Sequence, residues 1–540
     1  MSYIEAAEFF EKHETPFHLG FLPTEQSNPQ TANLDKNFAK SIACGIRNLQ
    51  EVDQNVLTMA KKILVSTEFA NLVDSIVKVI RNNGKVVFSG CGATGRLSIL
   101  LEAMWRVSCP EYADQVKSIM TGGDYALVKS VESFEDYPAF GARQVQEMQM
   151  TPNDLLVAIT EGGETSSVLG TVKEFTSKGG KAFLLFNNPA HLLRGHLERC
   201  REAIDNPSVT VLDLNCGPMG LAGSTRMQAT TSEQFIASAA LEKAASILYG
   251  TEEKCPDFVA AFADLLDKLG SDENVDKMAK QIDLEQRIYG NSGLVTYFAD
   301  DYILDLFTDT TERNPTFMLP GFHRIDDLTA PEPWAFVRNP LLPSKEAISK
   351  ALGNRNMRCL SWEKDDYIAM NAPENVWKNP PLIAAKHLAA IPVGNENYPE
   401  RYGTGKDAAV LFCYGKPAVE LDEAYQKEGA KFAFQAVFDG FVGNLPGTRL
   451  NVFEHLAVKL QWNTISTGTM VCLGRVTGNW MSCVAISNKK LIDRAIRLVS
   501  ELGKVDYHTA CVEIFRAMEN PASDDTPAVL QCLERLKAAR

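Results

Sequence analysis

The feature that most constrains this chain is an alternation of short apolar strands with amphipathic helices, which occurs twice along the sequence. In the first alternation, the predicted strands cover residues 85–89, 116–121, 154–160, 181–187 and 209–214. Helices are predicted to begin near Leu97, Ser166 and Ser232. Strands joined by helices run parallel, and the helices cover both faces of the sheet that they connect. The pattern therefore predicts an α/β fold built on a doubly wound parallel sheet.

A second, looser alternation begins at Leu294 and extends to about residue 480, with a Pro-rich interruption between Pro331 and Pro343. Its clearest predicted strands cover residues 408–413 and 432–438. A chain of 540 residues is too long for one ordinary core, so several domains are expected. We predict an N-terminal helical segment, a first α/β domain, a helical connector, a second and degenerate α/β domain, and a C-terminal helical cap. The predicted bounds are 1–45, 46–251, 252–287, 288–485 and 486–540.

Charge and composition exclude several classes of protein. The formal net charge of −14 argues against nucleic-acid binding, because phosphate backbones are bound by clustered Lys and Arg. The N-terminal sequence is acidic where a signal peptide would be basic, and no apolar run approaches the roughly 20 residues of a membrane span. The 12 cysteines contain no C-x-x-C pair. We therefore expect neither a metal site nor disulfides, but reduced thiols in a cytoplasmic protein.

A glycine-rich loop follows the first predicted strand, where Gly90, Gly92 and Gly95 form the pattern G-x-G-x-x-G. A dinucleotide-binding turn of this kind needs an acidic residue at the end of the next strand to bind the ribose. Here the next strand ends in Met-Thr-Gly-Gly, and Asp124 lies beyond it. The loop therefore fits a phosphate on a smaller ligand better than it fits NAD, and no cofactor is expected.

Two further strand-to-helix loops carry hydroxyl groups and glycines. The second loop, TEGGETSS, begins at Thr160, and the third loop, GPMGLAGSTRM, begins at Gly217. Loops at the carboxyl edge of a parallel sheet meet at helix N-termini, which attract anions. Three such loops suit one phosphate and several sugar hydroxyls, although each loop taken alone is also explained as an ordinary turn.

Five motifs carry a resemblance to a known family. They are TEQSN at 24–28, GCGATGRL at 90–97, GGDYALVKSVESFED at 122–136, GPMGLAGSTRM at 217–227 and KLQWNTISTGTMVCLGRVTGN at 459–479. Together they resemble the sugar-isomerase (SIS) family that contains N-acetylmuramic acid 6-phosphate etherase and glucokinase regulatory protein. The last motif is similar to the closing segment of the regulator's second SIS domain. The resemblance implies two SIS domains, in the regulator-like branch of the family, with one complete phosphosugar pocket.

The resemblance also implies which residues bind the ligand. In the first loop, the Thr94 hydroxyl and the N–H groups of Gly92 and Gly95 would contact the phosphate, and Ala93 stands where relatives carry Thr or Ser. Lys459 would reach the phosphate from the second domain. The other implied ligand contacts are Glu132, Thr160, Gly162, Glu164, Thr165, Ser224, Thr225 and Arg226. Glu164 replaces an arginine of the etherases, which leaves the identity of the sugar open.

An etherase must remove the proton beside the sugar carbonyl, protonate the departing lactate oxygen and add water, which calls for two carboxyl groups. By resemblance Glu135 takes one of these roles, but the other position falls on Met104, which cannot transfer a proton. The nearby Glu102 is expected to be a solvated surface charge. Glu312, in an E-x-x-P-T segment of the second half, is the candidate substitute across the domain boundary. The alternative is that Glu312 is a surface charge near a turn.

Three functions remain open. The first is a phosphosugar-binding regulator similar to glucokinase regulatory protein, with a hexose phosphate between its two domains and a hexokinase-type sugar kinase as partner. The second is a carbon–oxygen lyase of the etherase type that uses Glu135 and Glu312. The third is a sugar-phosphate isomerase or aminotransferase, which only the GGET sequence at 162–165 favours. We expect the first function and keep the second as the alternative.

Overall fold

The computed structural model describes residues 2–131, 134–486, 488–522 and 526–539. The first half contains a five-stranded parallel sheet with the order β2-β1-β3-β4-β5. Its strands are β1 (Val86–Gly90), β2 (Val116–Met120), β3 (Leu155–Ile159), β4 (Lys181–Phe186) and β5 (Val209–Asp213). All five predicted strands are confirmed. They were predictable because their apolar runs are buried, completely so in β1 and β3.

Helices precede the first sheet and connect its strands. Before the sheet lie α1 (Tyr3–His13), α2 (Leu34–Lys40), α3 (Ile42–Ile63) and α4 (Thr67–Arg81). Between and after its strands lie α5 (Gly92–Ser108), α6 (Pro138–Glu147), α7 (Ser166–Ser177), α8 (Ala190–His196), α9 (Glu198–Ile204) and α10 (Gln228–Tyr249). This is the doubly wound α/β arrangement that the sequence predicted.

The second half contains a four-stranded parallel sheet with the order β7-β6-β8-β9. Its strands are β6 (Val295–Phe298), β7 (Ala335–Arg338), β8 (Ala408–Cys413) and β9 (Phe434–Asp439). This order repeats the first four positions of the first sheet, as expected of two similar halves. Strand β7 was not predicted, because it lies inside the Pro-rich stretch, yet all four of its residues are buried.

The remaining helices lie between and beyond the sheets. Those between the sheets are α11 (Phe258–Leu269) and α12 (Asp272–Gly290). The second half has α13 (Ile303–Phe317), α14 (Ser344–Ala351), α15 (Lys364–Ala369), α16 (Glu374–Lys378), α17 (Ala385–Ala389), α18 (Val419–Gly429) and α19 (Val452–Cys472). A short antiparallel pair, β10 (Val476–Thr477) and β11 (Trp480–Met481), leads to α20 (Lys489–Gly503), α21 (Tyr507–Glu519) and α22 (Ala528–Ala538). None of the helices in the described ranges is long and apolar enough to cross a membrane.

One continuous apolar core runs through both halves of the chain. Helix α12 packs against α3 and α19, and α10 also packs against α19. The helices between the two sheets therefore belong to this core and are more than a spacer. Because the halves share a core, residues of the second half can reach the carboxyl edge of the first sheet.

Candidate functional site

A cleft opens at the carboxyl edge of the first sheet, at the ends of β1 and β3. These strands are neighbours in the sheet order, and their loops meet at the topological switch point where α/β proteins bind ligands. The cleft encloses about 870 Å³ of empty space, including its open mouth. Its walls come from the three predicted loops, from the segment around Glu135, and from residues of α13 and the start of α20.

The first loop begins helix α5 earlier than predicted, directly at Gly92. Gly92 has a φ of +56°, a left-handed conformation that glycine adopts without strain. The first N–H groups of a helix have no intrahelical partner, and Gly92 and Ala93, which begin α5, both line the cleft. The Thr94 hydroxyl instead donates to the carbonyl of Cys91 (2.8 Å), as does the Gly95 N–H (3.2 Å). Thr94 and Gly95 therefore shape the turn, and their predicted contacts with a phosphate stay predictions.

Four residues of the second loop were predicted to bind the ligand, and of these Thr165 lines the cleft. The Thr160 hydroxyl donates to that of Thr165 (3.0 Å), and the Gly162 carbonyl accepts a bond from a neighbouring asparagine (2.9 Å). The Glu164 carboxylate turns to Arg199, from which it accepts a bond (3.2 Å). Thr160, Gly162 and Glu164 therefore hold the loop in shape, and Thr165 faces the ligand space.

The third loop places all three predicted residues, Ser224, Thr225 and Arg226, at the cleft. Arg226 is buried and reaches the second half, where it donates to Asp309 (2.9 Å) and Thr467 (2.9 Å). Its charge is already paired, so its main effect is to position the loop. The buried Ser224 hydroxyl has no hydrogen-bond partner among the described residues, which leaves it free to bind a ligand oxygen.

Lys459 lies on α19 and extends from the second half toward the third loop. Its ammonium nitrogen is within hydrogen-bond distance of the carbonyls of Arg226 (3.0 Å) and Met227 (3.2 Å) and of the side chains of Thr231 (2.7 Å) and Asn463 (2.8 Å). Burial lowers the pKa of Lys459 to about 7. The Lys459 nitrogen therefore fixes the end of the third loop, and its predicted contact with a phosphate stays a prediction.

Glu135 and Glu312 line the same cleft, although they belong to different halves of the chain. Glu312 lies on α13 and is paired with the buried Arg96 of α5. Glu135 is paired with Lys490 (2.5 Å) and accepts a further bond from Asn488 (3.4 Å). The structure thus brings the two predicted catalytic carboxylates together, each with a cation, and their catalytic role stays a prediction.

Glu161 is a third carboxyl group at the cleft, and sequence reasoning missed it. It belongs to the second loop, directly after Thr160. Burial, followed by the nearby Glu312 carboxylate, raises the pKa of Glu161 to about 8. The signal that could have found it was its position just beyond the carboxyl end of a buried strand, where side chains face ligands. Glu132, which the resemblance implied as a ligand contact, lies outside the described residues.

Helix α20 and the residue before it also line the cleft, although the sequence predicted this region only as a C-terminal helical cap. The lining residues are Asn488, Lys490, Leu491 and Arg494. Burial opposes the charged form of Lys490, but Glu135 and Glu164 outweigh it and raise the pKa of Lys490 well above its usual value. Basic residues at a helix N-terminus oppose the helix dipole, so the Lys-Lys start of α20 was a signal of acidic partners.

The TEQSN motif fixes α20 against the cleft. The buried Glu25 carboxylate accepts bonds from Arg494 (2.6 Å) and Arg497 (2.8 Å) of that helix. Burial alone would raise the pKa of Glu25, but the two arginines outweigh it and hold the pKa at about 2. The Thr24 N–H donates to Asn188 (3.1 Å), which in turn donates to the second loop. The N-terminal segment therefore connects α20 to the second loop.

Glu102 is buried and is not the solvated surface charge that the sequence suggested. It is paired with Arg355 (3.2 Å) and Arg358, which both come from the second half. Arg355 also pairs with Asp124 (2.6 Å) of the first half. Nothing in the sequence of α5 indicates these distant partners, which is why the prediction was wrong. The cluster connects the two halves.

Comparisons with known proteins give relatives for part of the chain. Residues 68–176 match the family model described as the glucokinase regulatory protein N-terminal SIS domain. N-acetylmuramic acid 6-phosphate etherase 1 of Bacillus licheniformis is 30% identical over 219 residues, which cover 41% of this chain and 67% of the relative. The N-acetylmuramic acid 6-phosphate etherase of Rhodopirellula baltica is 31% identical over 219 residues, which cover 40% of this chain and 67% of the relative. The crystal structure of tagatose-6-phosphate ketose/aldose isomerase from Escherichia coli matches with a TM-score of 0.43 and 11% identity, over 82% of this chain and 95% of that chain.

Proposed function

The chain is a phosphosugar-binding member of the SIS-domain family of N-acetylmuramic acid 6-phosphate etherase and glucokinase regulatory protein, and we propose that it is a carbon–oxygen lyase that cleaves the 3-O ether of an amino-sugar 6-phosphate. The observation that carries the proposal is the presence of Glu135 and Glu312 in one cleft with the three loops. The sequence motifs alone favour a regulator. The sequence relatives named above are etherases, so the etherase-type lyase is the better supported function.

The ligand phosphate would lie against the first turn of α5. The N–H groups of Gly92 and Ala93, together with the positive end of the helix dipole, favour an anion there. The hydroxyls of Thr165, Ser224 and Thr225 line the same space and suit hydrogen bonds to phosphate or sugar oxygens. The sugar ring would then extend from the loops toward Glu135 and Glu312.

The chemistry needs proton transfer on both sides of one carbon–carbon bond. A base removes the proton at C2, beside the sugar carbonyl, and an acid protonates the oxygen that leaves C3. A carboxylate paired with a cation can accept a proton, and Glu135 and Glu312 are both of this kind. Their placement in one cleft supports a reaction in which carboxyl groups from the two halves of the chain act on one sugar.

The test uses N-acetylmuramic acid 6-phosphate in heavy water, with release of lactate and deuterium incorporation at C2 followed by NMR. We expect both with the intact protein. Positioned acids and bases contribute about 10²–10⁴-fold in rate, so Glu135→Gln and Glu312→Gln should each lower turnover by that amount. Binding of the sugar phosphate, measured by calorimetry, should persist in both variants.

The matched control is Glu198→Gln, which changes a glutamate whose side chain is 80% exposed on α9. It should leave exchange and lactate release unchanged. An intact protein that binds the sugar phosphate but shows neither exchange nor lactate release contradicts the lyase function.

A regulator is the second candidate, and the family model of residues 68–176 favours it. The ion pair between Glu135 and Lys490 also suits a site that only binds, because it holds the carboxylate in place. In that case the protein would inhibit a hexokinase-type sugar kinase in a phosphosugar-dependent manner and would form no product. Kinase assays with and without a hexose 6-phosphate distinguish the two functions.

A further inference from the structure

Three carboxyl groups line the cleft, and they differ in what neutralises them. Glu135 is paired with Lys490 (2.5 Å), and Glu312 is paired with Arg96. Within the described ranges, Glu161 has no ion-pair partner, although it lies in the same cleft. Glu161 is partly buried, and a carboxyl group that has lost part of its hydration and has no cation beside it favours its protonated form.

The hydrogen bonds around Glu161 fix its position at the cleft, and the one from its own backbone, which lowers its pKa, is outweighed by burial and by Glu312. Its backbone carbonyl accepts the N–H of Asn187 (2.9 Å), which fixes the residue beyond the ends of β3 and β4. The Thr230 hydroxyl lies 3.1 Å from the carbonyl oxygen of Thr225 and 3.4 Å from Oε1 of Glu161. A carbonyl can only accept, so the single hydroxyl proton of Thr230 is donated to Thr225. The longer contact, at 3.4 Å, is therefore at most a weak hydrogen bond to Oε1 of Glu161, and it does little to stabilise a carboxylate there.

Among the charges around Glu161, the Glu312 and Glu135 carboxylates raise its pKa, and Lys490 lowers it by less than Glu312 raises it. The charged groups that surround it or line the cleft with it are Glu135, Glu233, Glu312, Lys490, Arg96, Arg226 and Arg494. The four cations are already paired with other carboxylates. Burial and the Glu312 carboxylate raise the pKa of Glu161 to about 8, so the group keeps its proton at neutral pH. The cleft therefore holds one protonated carboxyl group beside two that are paired with cations, the arrangement that separates an acid from a base.

We propose that Glu161 is the acid that protonates the departing oxygen, an inference that rests on the proposed lyase function. In this step the base, which is Glu135 or Glu312, takes the proton from C2. The electron pair of the C2–H bond then forms the double bond between C2 and C3. The C3–O bond breaks, and its electron pair stays on the departing oxygen. Glu161 then gives that oxygen its proton.

The second half of the reaction returns each group to its starting state. A water oxygen adds to C3 and gives a proton to the Glu161 carboxylate, while the protonated base returns its proton to C2. One ether and one water are thereby converted to two alcohols. This assignment gives the acid role to the loop after β3, and it explains how the chain can carry Met104 where etherases have a carboxyl group.

The test compares Glu161→Gln with the intact protein on two substrates. The first is N-acetylmuramic acid 6-phosphate, whose departing alkoxide needs a proton. The second is the analogue with a 3-O-(4-nitrophenyl) group, whose phenolate leaves without one. We expect Glu161→Gln to release lactate at least about 100-fold more slowly. Its deuterium exchange at C2 and its nitrophenolate release should stay within a few-fold of the intact protein.

The pH profile and a control variant sharpen the comparison. In the intact protein, lactate release should fall as pH rises through about 8, because Glu161 loses its proton, and this decline should vanish in Glu161→Gln. Glu198→Gln should behave as the intact protein. The acid role is overturned if a normally folded Glu161→Gln loses deuterium exchange, lactate release and nitrophenolate release to the same extent. It is also overturned if Glu161→Gln releases lactate as fast as the intact protein.

A readout that does not depend on turnover separates this inference from the proposed function. At neutral pH, the infrared difference spectrum between the intact protein and Glu161→Gln should contain the C=O band of a protonated carboxyl group. An active lyase without this band overturns only the acid role of Glu161. An intact protein that binds the substrate without exchange or release overturns the lyase function and the acid role together.

Discussion

Two hydroxyl groups near the cleft differ in what they contact. The Ser224 hydroxyl is buried at the cleft and has no hydrogen-bond partner in the described part of the chain. We therefore expect Ser224→Ala to weaken sugar-phosphate binding. The loss of one hydrogen bond, about 0.5–1.5 kcal/mol, corresponds to about 2- to 10-fold in affinity. Calorimetry measures the affinity, and an unchanged denaturation midpoint would show that the fold is intact.

Thr94→Val should give the opposite pattern. The Thr94 hydroxyl donates to the carbonyl of Cys91 (2.8 Å) and accepts from its N–H (3.2 Å), so it closes the turn that begins α5. Loss of a helix-capping side chain costs about 1 kcal/mol, and denaturant unfolding should show this decrease in stability. If Thr94→Val instead lost affinity without losing stability, the hydroxyl would be a ligand contact after all.

The sequence identified those site residues whose position follows from the loop that contains them. Ser224 and Thr225 were found because a loop between a strand and a helix places them at the sheet edge. Glu161 lay in a loop of the same kind but was overlooked. Lys490 was missed because its role appears only when α20 packs beside Glu135, which no short stretch of sequence specifies.

At the scale of elements, the strands were predictable and their surroundings were not. Buried apolar runs predicted β1, β3 and β8 directly, because a strand covered on both faces excludes polar residues. Strand β7 is just as buried but stands among prolines, which hide a short strand. The start of α5 was predicted too late, because glycines that suggest a loop form the first turn of that helix.

The buried Glu25 carboxylate is one of the groups that join helix α20 to the N-terminal segment. Glu25 accepts bonds from Arg494 (2.6 Å) and Arg497 (2.8 Å). Breaking a buried ion pair by removing one partner typically costs about 3–5 kcal/mol, so Glu25→Gln should lower the free energy of unfolding by that order. Glu8→Gln, on an exposed face of α1, is the control and should have little effect.

The pH dependence of the Glu25→Gln effect has a defined sign. The arginines hold the pKa of Glu25 at about 2 in the folded protein, below the usual value of 4.5. Its contribution to stability is therefore complete above pH 4.5 and is lost as pH falls toward about 2. Denaturant unfolding should show the difference between the intact protein and Glu25→Gln shrinking across this window. A difference that stays constant would mean that Glu25 does not titrate there.

For the whole molecule, residues of both halves line one cleft, and the contacts between the halves are buried and charged. Arg226 of the first half pairs with Asp309 of the second, and Arg355 of the second pairs with Asp124 of the first. Broken buried pairs of this kind are costly, so the halves should keep a fixed orientation. The two similar halves were visible in the sequence as two alternations of strands and helices. The ion pairs between them were not, because each joins residues that are far apart in the chain.

Lys459 connects the two halves, and the pH dependence of the free energy of unfolding tests whether it is charged in the folded protein. Burial lowers its pKa to about 7 from the usual 10.5, so between these values the unfolded chain binds a proton that the folded protein does not. The free energy of unfolding should therefore gain about 1.4 kcal/mol per pH unit from this residue as pH rises through that window. Denaturant unfolding at several pH values should show that Lys459→Met removes this part of the slope. Lys280→Met, whose side chain is 77% exposed on α12, should retain it. An unchanged slope in Lys459→Met would show that the buried lysine keeps its proton and binds the third loop as a cation.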